Sequence, residues 1–160
     1  MTNEYTELLK ELLQQEEEIQ FNSFDNNMAF VIGLALLDAA RNKGKGVTID
    51  IARNGQQLFH FAMPGTSRDN DMWVQRKNNV VNRFGHSSFY MGMYLKSKGQ
   101  AMEEKYLISS SEFAAHGGAF PLIIRGVGVV GTITVSGLPQ EEDHELVVTT
   151  LRSFLTDEVR

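Results

Sequence analysis

Between two runs rich in β-branched and aromatic residues, Val47–Arg53 and Gln56–Ala62, the chain has only Asn54-Gly55. Both central residues of a type I′ turn need positive φ, and Asn-Gly tolerates it well, so the spacing predicts a two-residue β-hairpin. A second pair of runs, Phe120–Ile124 and Val127–Ser136, meets at a tight Arg125-Gly126 turn. Strands joined by hairpins are antiparallel, which points away from a doubly wound parallel sheet.

Helical signals surround the hairpins. Tyr5, Leu8, Leu9, Leu12 and Leu13 form an amphipathic stripe. Asp25-Asn26-Asn27 caps a helix over Met28–Arg41 that is apolar around most of its circumference. Thr66 with Asp69, or Ser67 with Asn70, opens a helix over Arg68–Phe84 that stops at Gly85. Trp73, Lys77, Val80 and Phe84 share one face of it, and Trp73 reads as core. A further helix spans Ser87–Lys98, and a last one begins near Pro139 with Glu141, Glu142 and Asp143 in its first turn. Within Met102–Ala115, Tyr106–Ser109 reads as a short strand. The order α-α-β-β-α-α-(β)-β-β-α predicts an α+β layer structure with helices packed on an antiparallel sheet.

The 160 residues suit one domain. Their net charge of −5 is unevenly spread, because residues 1–25 hold seven acids and one base. The rest is close to neutral, which argues against a nucleic-acid partner. We therefore expect an acidic amphipathic helix over residues 1–22 and a single domain over 23–160. With no cysteine, thiolate chemistry and disulfides are excluded, and any metal chemistry must run through histidine. The acidic start does not read as a signal peptide, and no apolar run approaches ~18 residues, so no membrane partner and a cytoplasmic location are expected.

Gly126-Val127-Gly128-Val129-Val130-Gly131 matches a dinucleotide-binding pattern, yet it runs on into a β-branched strand rather than a helix. It reads instead as a tight turn with close backbone approach. Of the four histidines, His60 lies in a strand opposite its aromatic neighbours and is expected to face solvent, and His86 reads as a turn residue. His116 precedes Gly117-Gly118, whose backbone can approach a ligand closely, which suggests an anion- or carbonyl-binding loop as the alternative to a plain turn. Asp143 and His144 follow Ser136-Gly137 at a strand-to-helix junction, where a carboxylate can orient an imidazole. Arg76-Lys77 is a pair suited to a carboxylate or phosphate.

His116-Gly117-Gly118-Ala119-Phe120-Pro121, the strand Gly128–Ser136 with Gly137, and Asp143-His144 together resemble the haem-degrading domain family, also called GlcG/HbpS-like. Met63-Pro64-Gly65-Thr66-Ser67, Asp69-Asn70, Trp73, Arg76-Lys77 and Leu138-Pro139-Gln140 are similar to its branch filed as an uncharacterised protein family. The similarity runs from about residue 29 to 154. It implies a profilin-like fold with a five-stranded antiparallel sheet, assembly into homo-oligomers, and haem as cofactor or ligand. Phe120 before the family proline and His144 after the family Asp are departures from its pattern.

Three functional readings follow. The first is a binding protein or degrader for haem or another small anionic ligand. In it His116, His144 and Asp143 act as catalytic or ligating groups, and Arg76, Lys77, Gly117, Gly118, Ser136 and Gly137 hold the ligand. The second is a non-enzymatic oligomeric adaptor or assembly module. The third, a hydrolase built on Ser136, His116 and Asp143, ranks last.

Overall fold

The computed structural model describes residues 3–159. The elements run α1 (Asn3–Glu18), α2 (Asn26–Asn42), β1 (Thr48–Arg53), β2 (Gln56–Ala62), α3 (Arg68–Phe84), α4 (Ser88–Lys98), α5 (Met102–Tyr106), β3 (Ala119–Ile124), β4 (Gly128–Ser136) and α6 (Gln140–Val159). All strand pairs are antiparallel, in the order β2-β1-β4-β3. Asn54 (φ 51°) and Gly55 (φ 84°) supply the left-handed turn between β1 and β2. Gly85 (φ 74°) ends α3. At Gly131 a Cβ would collide with the carbonyl of Ala52 on the neighbouring strand, so this glycine serves close strand packing.

Strand alternation divides the sheet into two unlike faces. Ile49, Ile51, Phe120, Leu122, Ile133 and Val135 point into the main core, against Ile32 and Leu36 of α2 and Leu146, Val147 and Leu151 of α6. The opposite face carries Thr48, Asp50, Thr132, Thr134 and Ser136, all buried and all polar, and α3 lies across it. Buried polar groups need partners, and α3 provides them for Asp50, Thr134 and Ser136, whereas Thr48 Oγ1 has none among the described residues. Asn78 donates to Asp50 Oδ2 (3.3 Å) and accepts from Thr134, and Asn70 donates to Ser136 Oγ (3.4 Å).

The Leu-striped helix docks on its own domain. Leu12 is buried with Phe89 and Met93 of α4, and Tyr5, Leu8 and Leu9 pack beside it. The charge run on α1 is solvated except at its end, where Glu16 is buried with Gln15.

Two expectations are corrected. The sheet has four strands, not five. The free side of β3 is met by no further strand: Phe21 donates to Ile123 O and accepts from Arg125 N, both at 2.8 Å, in one parallel bridge, and the Ser88 hydroxyl pairs with the backbone of Ala119 among the described residues. Nor is Tyr106–Ser109 a strand. Tyr106 ends α5, Leu107 turns left-handed (φ 57°), and Tyr106, Ile108 and Phe113 pack beneath α3 and α4 with Val80 and Met91. Burying three apolar side chains there outweighs the weak strand propensity of a short segment. Among the described residues no helix is long and apolar enough to cross a membrane.

Candidate functional site

The loop Ala115–Gly118 reaches β4 and the start of α6 because its glycines lack side chains. A Cβ on Gly117 would collide with Gln140 O, and one on Gly118 (φ 140°) would collide with Val135 O and sit 2.7 Å from Lys77 Nζ. The gap is closed by hydrogen bonds. Gly117 N donates to Gln140 Oε1 (3.0 Å) and Val135 N donates to Gly118 O (3.0 Å). Between this loop, the first turns of α3 and the β4–α6 junction lies a cleft of about 280 Å³. It is lined by Asn70, Trp73, Lys77, His116 and Ser136, with Gly137, Leu138, Gln140 and Asp143 at the junction.

Lys77 and Asp143 form its floor. Their side chains are 4% and 2% exposed, and Lys77 Nζ donates to Asp143 Oδ2 at 3.2 Å and to Val135 O at 3.3 Å. Asp143 also accepts from Gly137 N (3.3 Å) and Leu138 N (3.0 Å). Burial disfavours both charges. It lowers the Lys77 ammonium against the pull of Asp143, and raises the Asp143 carboxyl against Lys77 and the two backbone donors.

His116 stands at the rim, exposed, with its ring edge-on to Trp73 at 5.2 Å. Desolvation, then Lys77, Arg76 and Lys96, hold its pKa below the ordinary histidine value, so the imidazole is neutral at pH 7. The Arg76 guanidinium stacks over Trp73 (4.5 Å) and donates to Ser110 O (3.0 Å). Arg76 and Lys96 line a second cleft of about 210 Å³ that meets the first at His116.

His116, Lys77, Asp143, Ser136 and Gly137 thus converge, Gly117 and Gly118 shape the wall, and Arg76 faces the adjoining cleft. His144 does not join them. It is 2% exposed, packs against Phe89 (5.0 Å) and Phe120 (6.1 Å), and lies 2.7 Å from Gln15 Oε1. Neither Ser136 nor Asp143 is hydrogen bonded to His116 among the described residues, so the Ser136, His116, Asp143 set is not assembled as a triad.

Four members, Asn70, Trp73, Leu138 and Gln140, were not singled out from sequence as site residues. Trp73, expected in the core, is partly exposed at the cleft mouth. Asn70 signalled as a capping residue and, with Leu138 and Gln140, as part of a branch motif. His60 is exposed, as expected, and its ring also makes contacts that the sequence did not signal: Nδ1 lies 2.9 Å from Asp50 Oδ1 and Nε2 3.1 Å from Asp71 Oδ1. The ring bridges β1 and α3 because alternation turns it onto the polar face of the sheet.

With this geometry in place, comparison with known proteins identifies relatives. The family model described as haem degrading protein HbpS-like matches residues 24–152. A UPF0303 protein of Streptomyces coelicolor is 48% identical over 145 residues, spanning 91% of this chain and 92% of its own. The crystal structure of the Ybr137w protein superposes with a TM-score of 0.88 at 38% identity, covering 95% of this chain and 90% of that one. PduOC, solved as a haem complex, shares the fold at a TM-score of 0.67 and 18% identity, covering 82% and 94%. The chain belongs to the HbpS-like haem degrading protein family.

Proposed function

We propose, with that membership as the premise, that this protein is a binding protein, and a candidate degrader, for haem or another small anionic ligand held at the Lys77–His116 cleft. The observation that carries the reading is the exposed His116 imidazole where two clefts meet, Lys77 lining one and Arg76 and Lys96 the other. A neutral imidazole is the form that ligates iron, and cations beside it pair with propionates or another anion. Haem, when bound, would supply a redox-active iron. This chain's residues would supply His116 as an iron ligand, Arg76 and Lys96 as carboxylate partners, and Trp73 as an apolar wall. At about 280 Å³ the first cleft is near the lower bound of about 300 Å³ for ligand pockets, so a ligand as large as a macrocycle would need the adjoining cleft as well.

Titration of haemin against the purified protein, followed by the Soret band and by quenching of Trp73, the single tryptophan, tests this. His116→Ala should abolish the shift and His144→Ala should preserve it. A shift unchanged in His116→Ala would overturn the assignment.

The second reading, an oligomeric assembly, has its own support. Phe30, Val31 and Leu34 of α2 are 57%, 52% and 45% exposed, and β2 is an edge strand with no Lys, Arg, Asp or Glu. We take the homo-oligomer to use this face; light scattering of Phe30→Glu should show a smaller species than the parent. The same reading treats residues 23–160 as one profilin-like domain, residues 1–22 as its acidic appendage, and the chain as cytoplasmic.

A further inference from the structure

Lys77 is the one buried lysine among seven, and it lines the first cleft. Its Nζ has three hydrogens and two acceptors, Asp143 Oδ2 and Val135 O, so one donor position has no partner among the described residues. Gly118 is held to a glycine by its φ of 140° and by Val135 O, and the missing Cβ leaves the loop backbone close against this amine. Around the amine stand a carboxylate within proton-transfer distance, the Ser136 hydroxyl with the Asn70 amide donating to it, and His116 at the rim. A surface lysine that merely solvates a fold needs none of this, and a structural ion pair does not need an open cleft against it.

We infer that Lys77 captures a small 2-oxo acid as an imine, with Asp143 as the group that takes and returns the proton. The inference goes beyond the ligand-binding reading by adding covalent chemistry at the floor of the same cleft. In the step, Asp143 accepts a proton from the Lys77 ammonium and the free amine attacks the carbonyl carbon, forming a C–N bond. The carbonyl oxygen takes up the proton held by Asp143, then a second one released by the nitrogen through the same carboxylate, and leaves as water. The sum is R₂C=O + H₃N⁺–Lys77 → R₂C=NH⁺–Lys77 + H₂O, with no change of oxidation state. Burial favours the amine form that must attack. Asn70 and Ser136 lie where they can donate to the ligand's carboxylate, and a cleft of about 280 Å³ matches a short acid rather than a long-chain one.

The test is reductive trapping on the full chain. The protein is incubated with pyruvate and sodium cyanoborohydride, digested, and mapped by mass spectrometry for carboxyethyl-lysine. Lys77 should be modified at least about tenfold faster than Lys10, Lys43, Lys45, Lys96, Lys98 or Lys105, as for an amine with a positioned proton acceptor. Excess acetate, which has the carboxylate but no ketone, should slow it. Lys77 unmodified, or modified no faster than the exposed lysines, overturns the proposal. Mapping is done on the parent protein, so the result does not depend on whether Lys77→Arg folds. Haemin titration separates the two readings. A protein that binds haemin at His116 without trapping pyruvate sinks the imine alone, and one that traps pyruvate without a Soret shift sinks the haem reading alone.

Discussion

His144 Nε2 lies 2.7 Å from Gln15 Oε1, a buried contact that joins the last helix to the first across 129 positions of sequence. The other ring nitrogen has no partner among the described residues. Burial, helped by the positive charge of Arg152, pushes the imidazole pKa down to about 4. The unfolded chain takes up this proton near 6.5, and the folded one resists it until about 4. The group's contribution is therefore complete above pH 6.5 and is lost as pH falls towards 4, to the extent of about 3 kcal/mol. His144→Gln cannot titrate and keeps a donor for Gln15. Denaturant midpoints measured at pH 7 and pH 4.5 should differ more for the parent than for the variant.

A second histidine holds α1 with the opposite sign. His86 Nδ1 lies 2.7 Å from Glu16 Oε1, and the hydrogen bond to Glu16 raises its pKa above the ordinary value against partial desolvation. This contribution is full below the unfolded value and is lost as pH rises through the raised one. Glu16 also accepts from the buried Ser87 N (2.9 Å), the first donor of α4. Removing it in Glu16→Ala leaves that N–H unpaired, at a cost of about 1–3 kcal/mol. Hydrogen exchange should speed up along α1 and the first turn of α4 while α6 stays protected. Uniform acceleration along the whole chain would refute a local latch.

The glycines of the Gly126–Gly131 run have separable roles. Gly126 (φ 81°) turns between β3 and β4 with open space where a Cβ would be, whereas Gly131 lies against the Ala52 carbonyl. Gly126→Ala should cost only the left-handed penalty of about 1–2 kcal/mol. Gly131→Ala must push β4 away from β1 and should cost more, about 3 kcal/mol or above. Urea denaturation of the two variants gives the ordering; equal losses would show that the β1–β4 contact tolerates a methyl group.

The same run shows what sequence makes legible. Turn chemistry is local, so Asn54-Gly55, Gly85 and the Ser67–Asn70 cap announce their elements directly. The polar underside of the sheet is not local. Asp50 and Thr134 look like ordinary strand residues until α3 is laid over them, and their shared partner Asn78 lies tens of positions away. His144 shows the limit most plainly. Consecutive helical residues point about 100° apart, so when Asp143 turns towards Lys77 its neighbour must look elsewhere, and it looks into the core. The count of strands came from resemblance, and nothing in the residue pattern itself required a fifth.

The buried pair at the floor of the cleft gives the last prediction. Lys77 and Asp143 are both nearly inaccessible, and burial moves each towards its neutral form, so each ion is tolerated because the other is there. Replacing Lys77 by Met leaves Asp143 with two backbone donors and no cation, and should destabilise the fold by about 3–5 kcal/mol. Replacing Asp143 by Asn strands the ammonium beside the Val135 carbonyl and should cost a comparable amount. In Lys77→Met/Asp143→Asn neither charge remains, while the amide can still accept from Leu138 N. The double variant should then be less destabilised than the sum of the singles, by more than the about 0.5 kcal/mol expected of independent sites. Urea midpoints at pH 7 for the four proteins close the cycle, and strictly additive losses would mean that the two charges are solvated separately rather than sustained by each other.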